Sequence, residues 1–109
     1  MKIKAVIAAG AGLTLALAFT SPAHADTYGY PGSITCGSAH TGYSYSISSG
    51  SSGAQHRVTI GGSYNYRDWP PVGGSEAYFK DWGVHGFDNA RIAQFGPNSS
   101  ISQYYIGCD

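Results

Sequence analysis

Few residues in this 109-residue chain could do acid–base chemistry. Beyond the N-terminal segment, the candidates are three histidines, one glutamate and two of the arginines: His40, His56, His85, Glu76, Arg67 and Arg91. General acid–base catalysis needs two titratable groups that converge on one bond. His40, Glu76 and His85, together with an arginine, could form a ribonuclease-like set. Whether these three residues meet in one concavity decides between an enzyme and a binding protein.

A small secreted hydrolase or ribonuclease-like toxin is therefore the alternative function. In length, in tyrosine and glycine content and in its two cysteines near the chain ends, the sequence resembles the small secreted microbial ribonucleases. Those enzymes place a catalytic histidine after their arginine, close to the C-terminal cysteine, whereas no histidine follows His85 here. The resemblance therefore assigns no catalytic residue. A serine hydrolase with a nucleophile elbow would need G-x-S-x-G, which the sequence lacks.

We expect no metal site and no cofactor. A zinc site takes three or four ligands, and Asp81 with His85 is the only close combination. His56 alternates with Val58 and Ile60, so these three residues would share the apolar face of a strand. This pattern predicts that His56 lies in the core or at its edge.

Aromatic residues are the more informative feature. Tyr and Trp offer a large contact area and dominate the energetics of protein interfaces. We predict a binding patch of five residues: Tyr64, Tyr66, Arg67, Trp69 and Trp82. Alternatively, Trp69 folds inward against Pro70 and Pro71 and closes one end of the domain.

The N-terminus has the three parts of a signal peptide. Lys2 and Lys4 precede an apolar run over residues 5–19, and Ala23-His24-Ala25 provides small residues at positions −3 and −1 of a cleavage site. The apolar run is shorter than the roughly 20 residues that span a bilayer. We therefore predict that residues 1–25 are removed, that the protein is secreted to the extracellular medium, and that no membrane span remains after cleavage.

Composition predicts an all-β domain. The leucines and the methionine all lie within residues 1–25, so the remaining 84 residues (109 − 25) lack two common helix formers. What remains is rich in Val, Ile, Tyr, Trp and Gly, and all of these except glycine favour strands. The same segment has four Lys and Arg (six minus Lys2 and Lys4) against six Asp and Glu, a net charge of −2. Because nucleic acid and anionic membranes require clustered cations, we do not expect either as a partner.

Two cysteines, Cys36 and Cys108, lie near opposite ends of the mature chain. An even cysteine count in an exported domain indicates a disulfide. Closing a loop of this length stabilises the folded state by roughly 4 kcal/mol in the loop-entropy model.

The chain reads as one domain with a short leader. Residues 26–33 are rich in turn formers and predict a flexible leader, and residues 34–109 form the single β domain. Residues 43–48 alternate strictly between tyrosine or isoleucine and serine, and Gly61-Gly62 between two alternating runs predicts a hairpin. Residues 76–82 could be a strand or a helical turn. Six to seven short strands at this spacing predict a small antiparallel sandwich or barrel.

These features favour a secreted, non-enzymatic binding protein. It could be an inhibitor, a bacteriocin-like antimicrobial antagonist of bacterial origin, or a small subunit of a secreted toxin complex. The expected partner is a protein or glycan at a cell surface or in the medium.

Overall fold

The computed structural model describes residues 19–20 and 25–109. These residues form strands and no helix, which confirms the predicted all-β class. The strands are β1 (Phe19–Thr20), β2 (Thr27–Thr35), β3 (Gly42–Ser49), β4 (Ala54–Ile60), β5 (Ser63–Trp69), β6 (Ser75–Asp81), β7 (Gly86–Gln94) and β8 (Ser100–Cys108). The ambiguous run at residues 76–82 is thus mostly strand. Within the described part of the chain, no helix is long and apolar enough to cross a membrane.

The strands form two antiparallel sheets. The first sheet has the order β1-β8-β3-β6 and the second the order β2-β7-β4-β5. Seven of the strands have seven to nine residues, whereas β1 is a two-residue pairing of Phe19 and Thr20 with Ile101 and Ser100 of β8. Apart from these two residues and Ala25, the predicted signal peptide lies outside the described residues, and its cleavage stays a prediction.

Residues 26–33 differ from the flexible leader that their composition predicts, because most of them lie in β2 and pair with β7. The strand is irregular, with register shifts on both sides of Gly32, whose φ is +100°. Glycine adopts this conformation without the steric penalty that a Cβ would impose. Pro31 is tolerated because β2 is an edge strand, where a missing donor need not break a ladder.

The β4–β5 hairpin forms where Gly61-Gly62 predicts it. Both glycines have positive φ values, 59° and 84°, as a two-residue type I′ turn requires. The register pairs Thr59 with Tyr64 and Arg57 with Tyr66. The hairpin therefore fixes which face of the second sheet carries the two tyrosines.

Alternation in β3 is as predicted, and the serines are the residues that face the second sheet. Ser44 and Ser46 are fully buried and bond to His56 of β4. Tyr43 and Tyr45 are also buried, but they lie on the opposite face of the first sheet, where they cluster with Tyr105. A period of two shows which residues share a face, not which face meets the other sheet.

Between the sheets, a small apolar cluster and a set of polar pairs share the interior. Val58, Phe87, Ala90 and Ile106 form the apolar cluster. Next to it, Gln94 accepts a hydrogen bond from Ser48 (2.7 Å) and donates one to the Gly53 carbonyl (2.8 Å). Each polar side chain in this second group has a partner, so its burial does not leave an unpaired group.

The disulfide joins Cys36, just after β2, to Cys108 at the end of β8, with Cα atoms 5.6 Å apart. This confirms the predicted pairing. It links an edge strand of the second sheet to a strand of the first, across 72 residues of sequence. A disulfide is consistent with an extracellular or other oxidising environment.

Candidate functional site

The outer face of the second sheet carries a band of tyrosine and arginine. Six residues from all four strands form it, and we call them the tyrosine–arginine face: Tyr28, Tyr30, Arg91, Arg57, Tyr66 and Tyr64. The tyrosines stand on the two outermost strands, β2 and β5, and the arginines on β7 and β4 between them. All four tyrosines are exposed, from 37% for Tyr28 to 65% for Tyr30.

Strand geometry alone places these side chains together. Residues i and i+2 of a strand point to the same side, and His56 fixes the direction because it points inward. Its neighbour Arg57 therefore points outward, as do Tyr66 and Arg91, which pair with Arg57 in the flanking strands.

Ring contacts hold the face in a defined arrangement. The Arg57 guanidinium lies 4.3 Å from the ring centre of Tyr64, and the Arg91 guanidinium 5.0 Å from that of Tyr28. Within each tyrosine pair the ring centres are close, at 6.5 Å for Tyr28–Tyr30 and 6.2 Å for Tyr64–Tyr66. Cation–π contacts of this kind contribute roughly 0.5–1 kcal/mol at exposed sites.

The two arginines oppose each other directly across β4 and β7. Arg91 donates through Nη2 to Gln55 Oε1, and Gln55 Nε2 donates to Asp68 Oδ1 at 2.8 Å. The Nε donors of Arg57 and Arg91 are buried without an acceptor. No carboxylate of the described residues lies within 4.0 Å of either guanidinium.

The structure separates the five residues of the predicted patch. Tyr64 and Tyr66 lie on the tyrosine–arginine face, whereas Arg67 and Trp69 lie on the other side of β5. Strand alternation makes this unavoidable, since a run of consecutive residues cannot share one face. Trp82 packs against the core cluster between the sheets and donates from Nε1 to Ser44 Oγ at 3.0 Å.

Trp69 points inward and is not an exposed binding residue, the other position that the sequence allows. Its ring centre lies 4.7 Å from that of His56 and 5.0 Å from that of Tyr78, and it is half-buried. The Arg67 guanidinium lies over its outer side at 5.1 Å. Trp69 therefore covers one edge of the interior.

The other four members of the face lie outside the patch that the sequence predicts. Tyr28 and Tyr30 fall in the predicted leader, although they repeat the Tyr-x-Tyr spacing of Tyr64 and Tyr66. That shared alternation is the signal that could have identified them. Arg57 and Arg91 become neighbours only through pairing of β4 with β7, which no local pattern predicts.

A histidine between two serines is an arrangement in the described interior that resembles catalytic machinery. His56 lies 2.6 Å from Ser44 Oγ through Nδ1 and 2.9 Å from Ser46 Oγ through Nε2. All three residues are buried, and burial lowers the pKa of His56 to about 3. A neutral imidazole donates from one nitrogen and accepts at the other, so this network is satisfied without a charge. It joins the two sheets, and no substrate can reach its hydroxyls while the sheets are packed.

The proposed acid–base set is also dispersed. His85 Nδ1 lies 2.7 Å from the His40 carbonyl oxygen, near the disulfide. Glu76 lies at the opposite end of β6, where it pairs with Ser48. Glu76 is five positions along the strand from Asp81, which lies near the histidines, and this corresponds to about 16 Å at 3.3 Å per residue. Among residues 19–20 and 25–109, no group of three His, Cys, Asp or Glu side chains could hold a metal ion.

A comparison of the chain with protein-family models finds no match, and none is found among curated proteins or solved structures.

Proposed function

We propose that this chain is a secreted, non-enzymatic binding protein that contacts its partner, a protein or a glycan, through the tyrosine–arginine face. One observation carries this proposal. Four exposed tyrosines and two arginines form a continuous band across four hydrogen-bonded strands. Inhibition, antagonism of competing bacteria and assembly into a secreted complex are all roles that such a face would serve.

The composition of the face supports binding. Tyr and Arg are enriched among the residues that dominate binding energy, while most other interface residues contribute little. Tyrosine also brings a large area to a contact with only two side-chain torsions to order. Four partly exposed tyrosines on one small domain are thus better explained by a partner than by packing within the chain.

The rigidity of the face supports it further. Each of the six residues belongs to a strand, and the central strands are paired on both sides. Ring contacts already order both arginines and both tyrosine pairs. Because these side chains are already ordered in the free protein, binding would lose little of the side-chain entropy that weakens association.

Capture experiments with matched variants test the proposal. The secreted protein is immobilised and exposed to the producer's culture fluid and to extracts of neighbouring cells, and the retained material is identified. The double variant Tyr30→Ser/Tyr66→Ser should retain at least about tenfold less of the specific partner, since hot-spot residues contribute 2 kcal/mol or more.

Val72→Ser is the control, because Val72 is also exposed (37%) but lies in the loop between β5 and β6. It should retain the partner at the wild-type level. Equal capture by the double variant, with a cooperative melting transition intact, would refute the proposed face.

A further inference from the structure

The pair of arginines at the centre of the tyrosine–arginine face has no neutralising acid. Arg57 and Arg91 are direct cross-strand partners, and like charges placed directly opposite each other destabilise a sheet. Among the described residues, the Arg57 side chain forms no hydrogen bond, and neither arginine forms an ion pair. The free protein therefore carries an electrostatic repulsion that a bound anion would relieve.

Three aspartates lie around the arginine pair. Asp88 of β7 pairs with Thr59 of β4, two residues from Arg57 on the same face, and forms no ion pair with either arginine.

The other two acids already have hydrogen-bond donors. Asp68 Oδ1 accepts a hydrogen bond from Gln55, and Asp26 Oδ2 accepts one from the Tyr28 hydroxyl at 3.3 Å. Two of the four cations of the mature chain therefore stand side by side at the centre of the face, with no carboxylate bonded to either guanidinium.

We infer that the partner's contact surface is an acidic protein segment whose carboxylates bind between Arg57 and Arg91, with the tyrosines packing on either side. This inference rests on the proposed function. A guanidinium presents a planar fork of donors that matches a carboxylate. Charge complementarity of this kind sets partner choice and speeds association.

The composition of the face favours a protein partner. The band runs across four strands, about 14 Å from β2 to β5 at the usual strand spacing. Small-molecule ligands are typically held in concave sites that cover most of their surface, whereas the outer face of a sheet is open. Tyrosine and arginine are enriched in protein–protein interfaces, and lysine, glutamate and aspartate are depleted there.

Defined probes test the chemistry separately from the location of the face. The probes are a synthetic peptide of alternating glutamate and alanine, the same peptide with glutamine for glutamate, and polygalacturonate as an acidic glycan. Binding of the secreted protein to each probe is measured by surface plasmon resonance, at ionic strengths from about 0.1 M to about 1 M. Over this range the Debye length falls from about 10 Å to about 3 Å.

The glutamate peptide should bind most tightly. Its affinity should fall at least about tenfold in Arg57→Gln/Arg91→Gln and again at high salt, a loss of about 1.4 kcal/mol or more. Arg67→Gln is the matched control, because Arg67 lies on the opposite side of β5, and it should bind as wild type does. Each variant is first checked for a cooperative melting transition.

Three outcomes would overturn the inference: no binding to the glutamate peptide, equal binding to the glutamine peptide, or unchanged binding in the arginine double variant. Binding to polygalacturonate but not to the glutamate peptide would replace the acidic protein with an acidic glycan. None of these outcomes removes the proposed face, which is tested separately by whether Tyr30→Ser/Tyr66→Ser captures the natural partner normally.

Discussion

His56 should make this protein lose stability in mild acid. Burial between the sheets lowers the pKa of His56 to about 3, whereas an unfolded histidine has a pKa of about 6.5. Below about pH 6.5 the unfolded chain takes up a proton that the folded chain cannot accept until about pH 3. The stability associated with neutral His56 is therefore complete above pH 6.5, declines as the pH falls, and stops declining below about pH 3.

The size of the effect follows from the two pKa values. One pKa unit corresponds to 1.36 kcal/mol, so the free energy of unfolding should fall by about 2 kcal/mol at pH 5 and about 3 kcal/mol at pH 4. This loss is large beside the 5–15 kcal/mol that is typical of whole domains.

Urea unfolding at a series of pH values, followed by tryptophan fluorescence, measures the loss. His56→Gln replaces the imidazole with an amide that does not titrate and can still bond to Ser44 and Ser46, so its stability should depend less on pH by about the calculated amounts. His85→Gln is the control, because His85 is exposed, and it should keep the wild-type dependence. Identical pH dependence in wild type and His56→Gln would refute the reasoning, as would an NMR titration with the His56 midpoint near 6.5.

Further predictions concern processing, the disulfide and Trp69. Intact-mass measurement of the secreted protein should show Asp26 as the first residue; a retained segment 1–25 would contradict the export hypothesis. Cys36→Ser/Cys108→Ser should lower the free energy of unfolding by roughly 2–5 kcal/mol in urea titrations, and unchanged stability would contradict the role assigned to the disulfide. Trp69→Ala should lower the free energy of unfolding by about 2 kcal/mol, less than the roughly 3–5 kcal/mol of fully buried aromatic residues, because Trp69 is half-buried. Tyr66→Ala on the exposed face should change stability little, and equal losses in the two variants would contradict the inward position of Trp69.

The fold class could be predicted because it depends on composition and on local alternation. Three features can be recognised without knowing which strands pair: the scarcity of helix formers, the Gly61-Gly62 turn and the cysteine count. The orientation of β3 could not be predicted in the same way. Its tyrosine face is more apolar than its serine face, yet Ser44 and Ser46 point inward because His56 of β4 offers them partners. That choice depends on a side chain in the opposing sheet.

The same limit explains why only part of the candidate site could be predicted: contacts between strands are not visible in a local sequence pattern. Tyr64 and Tyr66 were identified together because they lie in one strand. Arg57 and Arg91 lie 34 positions apart in sequence (91 − 57) and become adjacent only through the register of β4 and β7. A binding face built across strands therefore requires the sheet order before its members can be recognised.

Tyrosine footprinting tests the central claim most directly. The protein is treated with a tyrosine-nitrating reagent, alone and after saturation with its captured partner, and modification is quantified by mass spectrometry. Tyr28, Tyr30, Tyr64 and Tyr66 are exposed in the free protein and should react there, whereas the partner should protect all four. Tyr43 lies on the outer face of the first sheet and provides an internal reference, because its accessibility should not depend on a partner at the second sheet. If the four tyrosines react as readily in the complex as in the free protein, the partner binds elsewhere and the tyrosine–arginine face is not the binding site.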